Sequence, residues 1–431
     1  MKNCILLIIL FVINISLSAQ ETNTSYYARL QKGENKEIIS ELSVKIAAEP
    51  NEELLFILGE AYKNQFDYIN ALNSYLKILT LNPENNLVKE KISDVYMILG
   101  QYADASGLLR TLYSADSTNS RIGFKLCTSL QNTGRTGDAI SLLRKLYTKN
   151  VYNYNTAKTL GDYYRITGNL DSSLYFYERA DFLNGKNSAS KLALSYVLYD
   201  MEDYNSAKIY VSRVVEMDSS SISARKQLAY CNFKLEEHAE AARDFKYIIE
   251  QGDTTMRNYL AIGICHYLTG KFSDALPYLE KGFVKDPKNH ELLFYLGATH
   301  NQLNESNEAI LFFNIALALM EPDPKVLYVI NNQMGTAYAR MCKYEDAYTH
   351  FSTALMSNPN DLKLLYDMAM AKYEIKNEKS LGMALAHLKE YLLGLEKKGT
   401  TLSKDEVYLK TRSEWYVNKI TEDLFMMEKP K

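Results

Sequence analysis

The amino-acid sequence predicts an all-α protein, an α-solenoid of about ten stacked helix-turn-helix repeats with capping helices at both ends. Two series of small residues carry this prediction, because each series recurs every 34 positions and the two stay in register. The members of the first series are Gly59, Ser93, Cys127, Gly161, Ser195, Ala229, Gly263 and Gly297. The members of the second series are Ala71, Ala105, Ala139, Ser173, Ala207, Ala241, Ala275 and Ala309. A constant period of this length is typical of a repeat array.

Each period is expected to form two amphipathic helices of about 13 residues. A leucine or isoleucine precedes every member of the first series, and a large apolar residue follows every member of the second series four positions later. Glycines such as Gly100 and Gly134 lie between the two series and predict turns. Small residues let two helix axes cross closely, and large residues fill the grooves beside them. Because one hairpin cannot bury both of its apolar faces, neighbouring hairpins must stack.

The pattern is most complete in three segments, residues 58–75, 160–177 and 334–351. The first of them contains Leu-Gly-Glu-Ala-Tyr, followed by Ala71 and Tyr75. This arrangement resembles the tetratricopeptide repeat (TPR) family in its period, its Leu-Gly-x-x-Tyr core and its later Ala-x-x-x-Phe pair. The family's opening tryptophan is absent from every repeat, and its terminal proline is present only at Pro83, Pro287 and Pro359. The resemblance implies a helical stack that binds proteins or peptides.

The repeat register divides the chain into five parts. We expect a signal peptide at residues 1–19, a degenerate N-terminal capping hairpin at 20–51 and repeats one to eight at 52–321. Repeats nine and ten follow at 322–398, after a proline-containing insertion, and a C-terminal capping helix is expected at 399–431. Near its start, this last part contains the sequence Ser-Lys-Asp-Glu at residues 403–406, a capping box that favours the start of a helix.

The first nineteen residues have the composition of a secretory signal peptide. Lys2 supplies a positive charge, residues 4–13 are apolar, and small residues lead to Ala19. The apolar stretch is shorter than the ~20 residues that span a bilayer. We therefore predict cleavage after Ala19, a mature chain that begins at Gln20, and a periplasmic location. An uncleaved inner-membrane signal anchor that faces the periplasm, or full secretion, is the alternative. With its repeats, the chain is similar to exported bacterial TPR-repeat proteins.

No motif in the sequence indicates catalysis, a metal or a cofactor. None of the six histidines belongs to a His-Glu-x-x-His motif, and no phosphate-binding glycine loop or Gly-x-Ser-x-Gly elbow is present. His266 and His300 stand where tyrosine usually packs, so we expect core residues there rather than metal ligands. A net charge of −3 without a basic block argues against a nucleic-acid partner. We predict a chain that is not an enzyme, with no small-molecule substrate evident.

The cysteines after the predicted signal peptide occupy packing positions. Cys231 and Cys265 are one repeat apart, and equivalent residues of stacked hairpins lie about 8–10 Å from each other. A disulfide requires Cα atoms within roughly 7 Å. We therefore expect Cys127, Cys231, Cys265 and Cys342 to be unbridged thiols within packed cores.

The resemblance implies that the first helix of each hairpin lines a concave groove in which a partner binds. Its outward positions are rich in aromatic and apolar residues in the middle repeats, and such patches often mark interaction sites. The predicted groove residues are Leu192, Tyr196, Tyr199, Lys226, Tyr230, Phe233, Lys234, Arg257, Leu260, Ile264, Tyr267 and Phe294. We expect five of the aromatic residues among them, Tyr196 to Tyr267, to form one continuous patch. The alternative is that these side chains pack against neighbouring hairpins.

The sequence thus predicts a non-enzymatic scaffold or adaptor of the cell envelope that binds a peptide or a partner protein in its concave groove. The alternative is a structural subunit of an envelope or secretion assembly, docked through its convex face or its ends. The lysine–asparagine clamp of chaperone-binding relatives is missing, because Lys158 is followed by Asp162 and Lys226 by Tyr230. A chaperone tail is therefore not the expected partner.

Overall fold

A computed structural model describes residues 25–48, 50–319, 323–399 and 402–428. Within these ranges the chain forms 23 helices and no strand, so the prediction of an all-α fold is confirmed. The predicted signal peptide and its cleavage site lie outside the described residues. None of the helices in the described ranges has both the length and the apolar character needed to cross a membrane.

The chain divides into two compact units, of which the first ends at Met201 and the second begins at Glu202. The helices of the first unit are α1 (residues 25–31), α2 (Asn35–Ala48), α3 (Glu52–Asn64), α4 (Tyr68–Leu81), α5 (Asn86–Ile98), α6 (Tyr102–Ala115), α7 (Ser120–Asn132), α8 (Thr136–Lys149), α9 (Tyr154–Ile166), α10 (Leu170–Leu183) and α11 (Ser188–Asp200). The helices of the second unit are α12 (Tyr204–Met217), α13 (Ile222–Lys234), α14 (His238–Glu250), α15 (Met256–Leu268), α16 (Phe272–Lys285), α17 (His290–Gln302), α18 (Ser306–Leu319), α19 (Pro324–Arg340), α20 (Tyr344–Ser357), α21 (Leu362–Ile375), α22 (Glu378–Lys398) and α23 (Lys404–Glu428). Within each unit, consecutive helices pack in antiparallel hairpins and each hairpin packs on the next.

Capping side chains recur at the start of the first helices with the period of the sequence. In each case the side-chain oxygen accepts a hydrogen bond from a backbone N–H of the first turn, which otherwise has no partner in the helix. These capping residues are Asn51, Asn85, Asn119, Asn153, Asn187, Ser221 and Asn289. The starts of these seven helices are therefore fixed locally, each by one polar side chain, whereas the Thr255 side chain before α15 makes no such hydrogen bond.

The turn inside each hairpin contains one residue in the left-handed region of the backbone. Glycine occupies this position in four hairpins and takes the conformation without steric cost. The residues concerned are Phe66, Gly100, Gly134, Gly168, Glu202, Glu236, Gly270, Asn304, Cys342 and Lys376, with φ between 57° and 77°. The first eight follow one another at 34-residue steps, so the same turn is built even where glycine is absent.

The small residues of the first series lie where the two helices of a hairpin cross. At Gly161, an added Cβ atom would lie 2.5 Å from the Tyr177 ring, and at Gly59 it would lie equally close to the Tyr75 ring. The tyrosine hydroxyl then donates a 2.8 Å hydrogen bond from Tyr177 to the Asp162 carboxylate, beside the glycine. The prediction that small residues mark close helix crossings is therefore confirmed at these positions.

The four extra residues before repeat nine lengthen a helix. Helix α19 has 17 residues, whereas α17 has 13, and Pro324 occupies its first turn. Proline fits this position because the first amides of a helix have no acceptor within it. Pro322 lies outside the described residues. The insertion therefore adds one turn to the start of α19.

Helix α23 begins as the sequence predicts. The backbone N–H of Ser403 donates to the Glu406 carboxylate at 2.8 Å, and the backbone N–H of Glu406 donates to the Ser403 hydroxyl at 3.2 Å. This reciprocal pair is a capping box. One side of the helix covers α22 with the side chains of Leu409, Tyr416, Ile420 and Leu424.

The four cysteines are unbridged, as predicted, but one of them does not lie in a core. Cys127, Cys231, Cys265 and Cys342 form no disulfide in the described part of the chain, and the first three are buried. Burial raises the pKa of the Cys127 and Cys265 thiols to about 12. The expectation of a core position is wrong for Cys342, which is exposed because it occupies the left-handed turn position where Gly270 stands in another hairpin.

We predict that Gly161→Ala lowers the free energy of unfolding by about 1–3 kcal/mol, because the new methyl group overlaps the Tyr177 ring. Urea unfolding followed by circular dichroism measures the change. The matched control is Gly107→Ala in α6, where no atom lies within 4 Å of the added Cβ. That substitution should stabilise the helix by roughly 0.5–1 kcal/mol. Equal effects of the two substitutions would contradict the close crossing.

Candidate protein-binding surface

The first helices of neighbouring hairpins lie side by side in the second unit. Helix α15 contacts α17, and α17 contacts α19, although a second helix separates the members of each pair in the chain. We call the outward surface of α13, α15, α17, α19 and α21 the first-helix face. The predicted groove residues of this unit lie on three of these helices, α13, α15 and α17.

The predicted residues of the first unit lie on α11. Leu192, Tyr196 and Tyr199 are half-buried. The guanidinium of Arg165, on α9, lies 5.2 Å from the centre of the Tyr196 ring and also forms a 2.6 Å ion pair with Asp200. A cation over an aromatic face is attracted by the ring electrons. Tyr196 is therefore already engaged by a neighbouring repeat. Continuity of the aromatic patch from α11 to the residues of the second unit stays a prediction.

The two aromatic residues of α13 are partly committed to packing. The Tyr230 ring meets the Phe245 ring of the same hairpin edge-on at 5.3 Å, and the Phe233 ring meets His238 at 5.5 Å. Both side chains are half-buried against core clusters. Alanine at these positions would therefore remove core contacts as well as surface, which the sequence alone did not indicate.

The three predicted cations differ in availability. Lys226 is half-buried, and its ammonium group donates a 3.1 Å hydrogen bond to the Asp253 carboxylate. Lys234 is exposed, with its ammonium 5.8 Å from the Tyr204 ring, and Arg257 is exposed. Lys226 is therefore largely neutralised within the protein, while Lys234 and Arg257 remain at the surface.

Leu260 and Ile264 are corrections to the predicted set. They are only 6% and 5% exposed, and they pack in a cluster with Leu279, Leu292 and Leu296. Their spacing placed them correctly on α15, but the neighbouring hairpin covers them. They belong to the core, and we leave them out of the proposed binding surface.

A row of aromatic rings crosses from α15 to α17. The Tyr267 ring meets Tyr295 edge-on at 5.5 Å, and Tyr295 in turn meets Phe294 at 5.2 Å. All three side chains are half-buried. Burial raises the pKa of Tyr267, while a hydrogen bond with Gln302 partly offsets the rise. Burial and the Glu291 charge raise the pKa of Tyr295. Both hydroxyls are therefore neutral donors at physiological pH.

The aromatic row ends in an apolar pocket between α17 and α19. Its volume is about 410 Å³, and its walls are His290, Glu291, Phe294, Tyr295, Lys325, Val326 and Val329. Of these residues the sequence predicted only Phe294. Val326 and Val329 lie in the first two turns of α19, where the insertion changes the register, so the period did not reveal them. Pro324, which starts α19, is the sequence feature that could have indicated the longer helix and the position of these two valines.

A second, more polar pocket of about 360 Å³ lies between α19 and α21. Its lining includes Arg340, Lys363 and Asp367. Arg340 donates a 2.9 Å hydrogen bond to the Asn301 side chain on α17, and Lys363 forms a 2.7 Å ion pair with Asp367. Burial raises the pKa of Asp367, while Lys363 opposes the rise. The first-helix face thus changes from apolar to charged along the unit.

The two histidines singled out by the sequence pack against aromatic rings. His300 stacks on Phe312 at 5.3 Å and His266 on Tyr278 at 5.7 Å. His300 is buried and forms a 2.6 Å contact with the Glu305 carboxylate, while His266 is half-buried. Their predicted role in packing is confirmed. In the described ranges, no three His, Cys, Asp or Glu side chains are grouped so as to hold a metal ion.

Two segments of the chain, residues 52–85 and 260–325, match family models described as tetratricopeptide repeat. These two segments are similar to tetratricopeptide repeats. The second segment includes the aromatic row and much of the apolar pocket. Neither model is that of a catalytic family.

Similarity to individual proteins is limited to part of each relative or to low identity. A segment of 77 residues is 31% identical to Superkiller complex protein 3 of Mus musculus, and it covers 18% of this chain and 5% of that protein. The chain therefore spans only a small fraction of the curated relatives that it matches. These relatives are vertebrate proteins, so an exported bacterial origin stays a prediction.

Solved structures with similar helices include the C-terminal part of a TPR repeat-containing protein from Cytophaga hutchinsonii, with 14% identity and a TM-score of 0.47 over 57% of this chain and 99% of that chain. Another is the Cut9–Hcn1 hetero-tetramer of the APC/C, with 15% identity and a TM-score of 0.43 over 90% of this chain and 95% of that chain.

We predict that Lys226→Met raises the pKa of Asp253. Burial alone would raise this pKa, but hydrogen bonds from Lys226 and Asn258 outweigh burial and hold it below its ordinary value. A lowered carboxyl pKa stabilises the fold above the ordinary value, and this stability is lost as the pH falls through the folded-state pKa. NMR titration of the carboxyl carbon measures the shift. Lys234→Met is the control and should leave Asp253 unchanged. An unchanged Asp253 in the Lys226 variant would contradict the ion pair.

Proposed function

We propose that the chain is a non-enzymatic scaffold that binds an extended segment of a partner protein on the first-helix face of its second unit. The observation that carries this proposal is the aromatic row of Tyr267, Tyr295 and Phe294, which leads into the apolar pocket between α17 and α19. Apolar surface of this kind is unfavourable in water and favours a ligand that covers it.

The pocket suits one bulky apolar side chain of the partner. Val329 is 36% exposed at its edge, and Phe294 and Tyr295 supply aromatic walls. Aromatic residues are enriched among the positions that dominate binding energy, especially where the surrounding contacts exclude water. His290, Glu291 and Lys325 form a polar rim with charges of both signs. The rim favours a segment in which the apolar residue is flanked by polar ones.

Tyr230, Phe233, Lys234, Arg257 and Tyr267 of the second unit remain in the proposed surface. Leu192, Tyr196 and Tyr199 stay predicted binding residues of the first unit by itself. Lys226 contributes less, because Asp253 neutralises it. Leu260 and Ile264 support the surface from below as core residues. The proposal therefore rests on the second unit.

We predict that Val329→Glu abolishes peptide binding to this pocket. Panning a library of displayed random peptides against the full chain should enrich sequences with a bulky apolar residue, whose affinity fluorescence polarisation then measures. A carboxylate in the apolar pocket loses hydration without gaining a partner, so the dissociation constant should rise at least about tenfold.

The matched control is Val284→Glu, because Val284 is 80% exposed on α16, a second helix. This variant should bind the selected peptides as the original chain does. Failure to enrich any peptide, or equal binding to both variants, would contradict the proposed groove. Equal binding would favour the alternative of docking through the outer surface or the ends.

We further propose that the scaffold works in the periplasm. Support comes from the sequence of residues 1–19, with its positive start, short apolar stretch and small residues before Gln20. We predict that the intact mass of the natively expressed protein corresponds to a chain that begins at Gln20. Recovery of a full-length chain from the membrane fraction would instead support the signal-anchor alternative.

A further inference from the structure

The outer side of α23 carries apolar side chains that the described part of the chain leaves at the surface. Trp415, the only tryptophan of the chain, is 57% exposed near the middle of this helix. Val407 and Tyr408 lie toward its start, and Phe425 and Met426 toward its end, each at least half exposed. The side of a helix that faces water is normally polar. We call these five residues the outer α23 stripe.

Two charges beside the stripe, one on each side of Trp415, have opposite signs. Arg412 lies before it and Glu422 after it, and both are exposed. Arg412 makes hydrogen bonds to the hydroxyls of Tyr408 and Tyr416 on its own helix, at 3.3 Å and 3.1 Å. Within the described ranges neither Arg412 nor Glu422 has an ion-pair partner within 4.0 Å. Such an arrangement is complementary to itself when one copy is reversed.

We propose that the outer α23 stripe is the surface through which two copies of this chain pair, with their α23 helices antiparallel. An isologous contact of this kind requires a patch that is complementary to its own copy after a two-fold rotation. The stripe meets this requirement because its apolar residues stand at both ends and the charges of Arg412 and Glu422 are opposite.

The helix geometry gives the pairing a definite register. Helix α23 has 25 residues and is about 37 Å long at roughly 1.5 Å per residue. If the two-fold axis passes near Tyr416, Tyr408 of one copy faces Phe425 of the other, and Val407 faces Met426. Arg412 then lies about one residue along the axis from Glu422 of the second copy, close enough for an ion pair.

The area available fits a modest dimer. Large aromatic side chains bury roughly 150–250 Å² each, and the five residues of the stripe are at least half exposed, so each copy offers on the order of 500 Å². Flanking polar residues such as Thr411 and Asn418 bring the total toward the ~800 Å² per partner of a standard interface. We therefore expect a dimer that dissociates on dilution.

Trp415 makes the association directly measurable. In the separate chain its indole is more than half exposed, and in the dimer it lies at the centre of the contact. Sedimentation velocity of the full chain should show a monomer–dimer equilibrium. The tryptophan emission maximum should move to longer wavelength over the same dilution range, because the indole regains water.

Charge reversal tests the antiparallel register. Arg412→Glu and Glu422→Arg each place like charges opposite each other, and each should weaken self-association at least about tenfold. An equimolar mixture of the two variants should regain the affinity of the original chain, because the heterodimer has both ion pairs with opposite signs. Glu178→Arg, an exposed charge reversal on α10, is the matched control and should not alter association.

The possible results separate clearly. A chain that remains monomeric at every concentration overturns the proposal, as does a dimer whose affinity neither single variant changes. A dimer that the single variants weaken but their mixture does not restore overturns the antiparallel register, and with it the proposed pairing. Circular dichroism of each variant confirms that the helices are intact.

Discussion

The contact between a small residue on the first helix and a ring or branched side chain on the second is the constraint on which the structure depends. It occurs between residues 16 positions apart, as in Gly59 with Tyr75 and Gly297 with Phe313. The absence of a side chain on one helix lets the other approach until the large side chain touches backbone. This contact therefore sets the distance between the axes of the two helices in each hairpin.

The sequence predicts this level of organisation because the period is a property of the chain alone. The exposure of an outward residue depends instead on the side chains of the neighbouring hairpin. The sequence of a single repeat does not contain this information. Leu260 and Phe294 stand at similar places on successive first helices, yet the first is buried under its neighbours and the second lines a pocket. Cys342 was misplaced for a different reason, because a turn position was interpreted as a core position.

Half-buried aromatic rings give the first-helix face two roles at once. Tyr295 touches the rings on either side of it and also forms part of a pocket wall, so the same atoms stabilise the stack and offer surface to a partner. Rings held in this way lose little conformational freedom on binding, which lowers the entropic cost of association. Val326 on the added turn of α19 has the same double role, because it packs against the core and lines the pocket.

The left-handed turn residue has a consequence for how such an array changes length. It follows the small residue of the first helix by seven positions in every hairpin, from Gly59 and Phe66 to Gly335 and Cys342. The extra residues lengthen the start of α19, before Gly335, and so fall outside this interval. The segment from the small residue to the turn thus has a constant length. Recombination that duplicates or deletes whole hairpins keeps every internal contact, whereas a single residue inserted between the small residue and the turn would disrupt it.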